Sequence, residues 1–184
     1  MIKIFYCIFT LLLCKVIYAQ QKELLSPNGE IKVAIETNGR LTYTVSYKNQ
    51  PLLLSSAIDM LFSDGTRLSS NTSIKKIKFN TVNAFIESPV PEKRKIIPDI
   101  YNELVIDFKN SSGLIIRAYN DGVAYRFSTH LKDSVIIKNE IASFNFAGSY
   151  MVYYPEVQKR ADADSFHTSF EEPYQFKSEV AQIG

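Results

Sequence analysis

Apolar and polar side chains alternate along most of this chain with a period of two, and the 3.6-residue period of an amphipathic helix is nearly absent. Ile31, Val33 and Ile35 alternate with Lys32, Ala34 and Glu36, and Leu41, Tyr43, Val45 and Tyr47 face away from Thr42, Thr44 and Ser46. Asn38 and Gly39 between these runs predict a two-residue hairpin turn. Val123, Tyr125 and Phe127 alternate in the same way with Ala124, Arg126 and Ser128. They follow Asn120, Asp121 and Gly122, residue types that tolerate the positive φ of a tight turn. Further short runs lie at 52–54, 74–79, 84–87, 104–108, 114–119, 135–137 and 150–154, with turn signals at Asp64 and Gly65 and from Asn110 to Gly113. Many short strands rich in Val, Ile, Tyr, Phe and Thr predict an all-β chain folded as an antiparallel β-sandwich. Residues 57–60 and 61–64 admit a short helical turn. Residues 88–101 contain Pro89, Pro91 and Pro98 and read as a long exposed connection, of the kind that is usually functional or mobile.

Composition leaves that picture intact, with 46% apolar and 22% charged residues, as expected of one folded domain. The first 19 residues read differently. Lys3, the apolar run 4–13 and Ala19 before Gln20 form the pattern of a secretory signal peptide, too short to span a bilayer, so residues 20–184 are expected to be the exported domain. Cys14 follows Leu13 where a lipoprotein would carry a small residue, so no membrane anchor is expected and the protein reads as periplasmic or secreted. Cys7 and Cys14 both lie in that leader, which leaves no thiol for a disulfide or a zinc site in the remainder. Removing Lys3 and Lys15 with the leader brings the 21 basic residues level with the 19 acidic ones. A neutral chain lacks the basic stripe of a nucleic-acid binder. The densest basic run, Glu92-Lys93-Arg94-Lys95, reads mainly as a solvated loop.

Strand alternation fades after Tyr153, where YPEVQKRADADSFHTSFEEPYQF gathers charged and polar residues around two prolines. A site is expected there. Asp162 and Asp164 lack the glycine and downstream glutamate of a helix-loop-helix calcium loop, and His130 and His167 are too few for zinc. Asp121 is better explained by the turn around it than by catalysis. Arg117 and Arg126 are placed to pair with acids such as Glu103 or Asp107.

Four segments, SPNGEIKVAI at 26–35, LTYTVSYKNQPLL at 41–53, IPDIYNELVIDF at 97–108 and RAYNDGVAYRF at 117–127, occur in one order. Together they resemble the amino-terminal domain of glycoside hydrolase family 97. The resemblance implies a large sandwich of the super-sandwich type, incomplete here on its carboxy-terminal side, that supports a following (β/α)8 barrel. It also implies a calcium-dependent α-glycosidase acting on α-glucosides or α-galactosides. In that family the amino-terminal domain lends a glutamate to a calcium ion beside the catalytic centre, which on this chain implies Glu171 or Glu172, with His167 near enough to contact a sugar hydroxyl. Calcium accepts six to eight hard oxygen ligands, so a carboxylate from a neighbouring domain fits such a site. Glycoside hydrolysis commonly needs two carboxyl groups across the scissile bond. No barrel pattern is present to carry them, so this segment alone is expected to be inactive, and its α-linked oligosaccharide or glycoside substrate would be met through the barrel. The alternative is a stand-alone secreted sandwich that binds carbohydrate or a partner through exposed aromatics. Tryptophan is absent, and most aromatics occupy strand positions that predict a core, which weighs against it.

Overall fold

The computed structural model describes residues 21–90, 93–155 and 174–177. Its strands are β1 (Lys22–Leu25), β2 (Ile31–Glu36), β3 (Thr42–Tyr47), β4 (Gln50–Phe62), β5 (Ile74–Glu87), β6 (Ile96–Phe108), β7 (Ser112–Tyr119), β8 (Val123–Thr129), β9 (Ile137–Ala142), β10 (Val152–Pro155) and β11 (Tyr174–Lys177). Two antiparallel sheets, in the orders β1-β2-β3-β4-β9 and β5-β6-β7-β8, carry the fold, and β10 and β11 form a separate pair. The chain is all-β, as its alternation predicts. Val33, Ile35, Leu41, Tyr43 and Ile58 from the first sheet meet Leu104, Ile106, Phe108, Leu114 and Ile116 from the second in one buried cluster. β2, β3, β6 and β7 each supply alternate residues to it, which is how a period-two sequence becomes a sandwich.

Three local readings are corrected by this structure. Residues 57–60 and 61–62, read as a possible helical turn, continue β4, because Ile58 to Phe62 pair with β9 as well as extending the edge begun against β3. The described helical turn is instead a 3-10 segment at Leu68–Asn71, whose Leu68 plugs the core. Asn38 and Gly39 do not form a two-residue turn: Glu36 pairs with Thr42, leaving a five-residue connection in which Gly39 takes φ 82° and Leu41 is fully buried. The two-residue hairpin lies one turn later, at Lys48 and Asn49, both at positive φ, between Tyr47 and Gln50.

The third correction concerns the segment 88–101. β5 and β6 pair as far as Glu87 and Ile96, so the connection between them shrinks to residues 88–95. Pro98 lies inside β6 opposite Phe85. Ser88 donates its N–H to the Lys95 carbonyl, so the pairs that exchange hydrogen bonds are the alternate ones, 88 with 95 and 86 with 97. The Pro98 nitrogen therefore faces the other edge of β6, which β7 has already left, since that pairing stops at Tyr101 and Tyr119. A proline is tolerated where no ladder partner exists.

Candidate functional site

The stretch Arg117 to Phe127 forms the β7-β8 hairpin, and its two faces have different chemistry. Ala118 pairs with Val123, and the four residues between them close with the Tyr119 N–H donating to the Gly122 carbonyl. The turn uses no positive φ at Asn120, Asp121 or Gly122, contrary to the reason that their sequence offered. Asn120 instead serves as an anchor, because its Oδ1 accepts the backbone N–H of Asn28 at 2.9 Å and pins the hairpin tip to the turn between β1 and β2.

On the outer face, Arg117 Nε donates to Glu103 Oε2 at 2.8 Å, and Asn80 Nδ2 donates to Glu103 Oε1 at 3.0 Å. The guanidinium lies 4.2 Å from the Tyr101 ring centroid, and Tyr119 packs against the same ring at 5.0 Å. Burial alone would raise the Glu103 carboxyl, but hydrogen bonds from Arg117 and Asn80 outweigh it and hold the group below its ordinary value. The hydrogen bond to Glu103 in turn raises Arg117 above its usual range. This is a satisfied ion pair across neighbouring strands, the pairing expected of Arg117. Arg126 adds only its field at Glu103. What sequence reasoning missed is the stacking of Tyr101 and Tyr119 beneath the guanidinium, although both are outward positions of alternating strands.

On the inner face, Val123, Tyr125 and the turn residues line a cleft of about 780 Å³ against Tyr43, Val45, Leu52 and Phe144. It opens beyond β8 because the second sheet has four strands where the first has five. The Tyr43 and Tyr125 rings lie 6.0 Å apart, and the Tyr43 hydroxyl donates to the Ser143 carbonyl at 3.1 Å. Burial, helped by the negative charge of Glu140, pushes the Tyr125 hydroxyl up to about 12. Asp121 is the one acid among the described lining residues, which therefore supply no pair of carboxyl groups to place across a glycosidic bond. Its chemistry is that of apolar contact.

Glu171, Glu172 and His167 lie outside the described residues, as do Asp162 and Asp164. Among the described residues, no group of three or more His, Cys, Asp or Glu side chains is placed to hold a metal ion. His130 is exposed, and its backbone N–H bonds to the Ser111 carbonyl.

The sequence profile described as Glycosyl-hydrolase 97 N-terminal matches residues 24–184. A retaining alpha-galactosidase of Bacteroides thetaiotaomicron is 31% identical over 167 residues, which cover 88% of this chain and 25% of that protein. Among solved structures, a glycoside hydrolase family 97 enzyme in complex with acarbose, from Pseudoalteromonas sp. strain K8, superposes with a TM-score of 0.69 at 20% identity. The match covers 85% of this chain and 24% of that one. A beta-arabinopyranosidase superposes with a TM-score of 0.71 at 20% identity, covering 85% and 26%. At such identities the two superpositions speak for the fold alone. The chain spans about a quarter of the length of each relative.

Proposed function

The chain belongs to the glycosyl-hydrolase 97 N-terminal family, and on that premise we propose that it is the non-catalytic amino-terminal domain of a calcium-dependent α-glycosidase. The substrates are α-galactosides or α-glucosides, and the domain supports a catalytic barrel encoded further along the full-length chain. The observation that carries this reading is the 31% identity to a retaining alpha-galactosidase across 88% of the chain. The described residues agree with a supporting role: the inner cleft is apolar, and the best-formed ion pair is structural. One carboxylate of Glu171 and Glu172 completes a calcium site whose other ligands come from the barrel, and His167 serves as a contact to a sugar hydroxyl. Hard carboxylate oxygens are the donors calcium prefers, and a ligand shared between domains ties them together. The leader 1–19 directs export to the periplasm or beyond.

The test is hydrolysis of nitrophenyl α-galactoside and α-glucoside by the full-length protein, with calcium and with a chelator. Cleavage of one substrate, with a calcium requirement that Glu171→Gln or Glu172→Gln weakens, is the expected result. Failure to cleave either substrate under both conditions would overturn the reading. Amino-terminal sequencing of the exported protein checks the leader, with Gln20 expected first.

A further inference from the structure

The length of β7 separates two ends of the sandwich, with Asn120 at one and Asn110 at the other. At the Asn110 end, the turn after β4, the 3-10 segment, the β6-β7 turn and the connection from β8 to β9 border a cleft of about 580 Å³. Backbone geometry fixes each of these segments. The Phe62 N–H donates to the Thr66 carbonyl at 2.9 Å and closes the first turn. Asn110 Nδ2 donates to the Leu68 carbonyl at 3.0 Å and ties the β6-β7 turn to the 3-10 segment. The connection from β8 to β9 is held at both ends, where the His130 N–H donates to the Ser111 carbonyl at 2.8 Å and the Ser63 N–H donates to the Ile136 carbonyl at 2.9 Å. The cleft is therefore preformed, as sites for small ligands usually are.

Its lining combines two chemistries. Leu131, Val135 and Ile136 are 40%, 43% and 71% exposed and offer aliphatic contact. The polar groups beside them have unused capacity. Asp64 Oδ1 accepts the backbone N–H and the hydroxyl of Thr66 at 2.8 and 2.7 Å, which orients the carboxylate while Oδ2 takes no bond from the described residues. Those bonds also hold the Asp64 carboxyl below its ordinary value, so at neutral pH it is an acceptor. The side chains of Lys132, Asp133 and Ser134 make no hydrogen bond or ion pair with the described residues. Two acids, Asp64 and Asp133, are matched in the lining by two bases, Lys132 and Arg67, the latter shared with Asp59 at 3.6 Å. No single sign of charge dominates, so the lining does not select an ion. It suits a neutral ring that has C–H faces for the aliphatic side chains and hydroxyls that both donate to carboxylates and accept from ammonium or guanidinium groups. A pyranose has those properties.

We infer that this cleft is a saccharide-binding site built from the sandwich alone, which holds a short neutral stretch of an α-linked oligosaccharide. The linkage class rests on the proposed glycosidase function, whereas the preference for a neutral pyranose rests on the lining. A volume of about 580 Å³ admits a short oligosaccharide segment and lies within the roughly 300–1,000 Å³ of small-ligand sites. A site here gives a polymeric substrate a point of attachment on the sandwich, and attachment raises the effective concentration of the rest of that polymer around the same protein.

Titration calorimetry of the full-length protein tests this, with maltotetraose and raffinose as probes and with saturating deoxynojirimycin and deoxygalactonojirimycin present to occupy a hydrolytic site. One equivalent of at least one probe is expected to bind per chain. Asp133→Ala and Ile136→Ser, which remove a polar and an apolar contact in turn, should each weaken that binding about tenfold. Both side chains are exposed, so neither substitution disturbs the core. Absence of binding by both probes overturns the inference, as does binding that both variants leave unchanged. Hydrolysis of nitrophenyl α-galactoside and α-glucoside is measured on the same parent preparation without the iminosugars. Variant-sensitive binding without hydrolysis sinks the enzymatic reading and leaves the site in place, whereas hydrolysis without variant-sensitive binding does the reverse.

Discussion

The two ends of the β5-β6 hairpin share one register and one backbone ladder, yet they live in different solvents. Near its base, Leu104, Ile106 and Phe108 of β6 are almost fully buried beneath the first sheet. Near its tip, Phe85 and Ile96 continue the same face of the same ladder, and each is at least half exposed. Period-two patterning specifies which face of a strand is apolar but not where the opposing layer stops. The base lies between two sheets, and the tip extends past the opposing layer.

The largest expected effect that separates the two ends is a core truncation. Leu104→Ala removes a fully buried side chain between the sheets and is expected to cost about 3 kcal/mol in denaturant unfolding of the full-length protein. Phe85→Ala loses few contacts within the described residues, so any comparable destabilisation it causes measures the cover supplied by the rest of the chain. A cost for Phe85→Ala within about 0.5 kcal/mol of zero, with Leu104→Ala behaving as expected, leaves the tip solvated.

The Arg117-Glu103 pair, near the base and on its outer face, should have an intermediate effect. Glu103→Gln leaves the guanidinium over Tyr101 with a neutral acceptor, and a loss of about 2 kcal/mol near neutral pH is expected. The pH dependence has a definite sign. The Glu103 carboxyl is held below its ordinary value in the folded protein, so its contribution is present above the unfolded value near 4.5 and is lost as pH falls through the depressed folded value. The substituted protein should therefore lose less stability than the parent on acidification from pH 5. An unchanged acid limb would assign the pair no net role.

Much of this organisation is legible in the amino-acid sequence, and the exceptions have physical causes. Ile31 to Ile35, Thr42 to Tyr47 and Val123 to Phe127 form strands where alternation places them, because each turns an apolar face to the core. Asn38 and Gly39 mislead because turn residues announce a reversal without fixing its length, and Leu41 is drawn into the core before pairing resumes. Lys48 and Asn49 pass unnoticed because lysine is an uncommon residue at positive φ. Residues 96–101 read as loop because proline removes a donor, and the sequence does not say toward which edge that donor would point. The candidate carboxylates Glu171 and Glu172 were reached through resemblance rather than spacing, and they lie outside the described residues.

A smaller, sharper effect is expected in the distal ladder, where proline is tolerated at one rung and not at its neighbour. Pro98→Ala restores an N–H that faces the unpartnered edge of β6 and should change stability by less than about 0.5 kcal/mol. Ile97→Pro instead removes an N–H that the register directs at Ile86, costing about 1 kcal/mol for the bond and opening the rungs beyond it. Amide exchange distinguishes the two variants. Faster exchange at Ile86 in Ile97→Pro, with Pro98→Ala unchanged, is expected, and the opposite order would mean that the hydrogen-bonded rungs are the other set.

The smallest effect lies at the opposite edge of the second sheet, where the β8 cleft offers a contrast to the exposed tip of the β5-β6 hairpin. Tyr125 sits among Tyr43 and Phe127 with the Glu140 carboxylate nearby, and its hydroxyl is pushed from 10.0 to about 12, first by burial and then by that charge. A folded-state value above the unfolded one stabilises the protein fully below pH 10, and that contribution is lost as pH rises toward 12. In an alkaline absorbance titration Tyr125 should therefore ionise late, alongside Tyr43 and Tyr101, which burial also raises, and the late amplitude should fall by one tyrosine in Tyr125→Phe. Glu140→Gln should move the Tyr125 step back toward the ordinary range by removing a like charge, without abolishing the shift, because burial is the larger cause. If Tyr125 ionises with the bulk of the tyrosines, water reaches its hydroxyl freely, and the cleft under β8 would then be as open as that tip rather than a partly closed pocket of the sandwich.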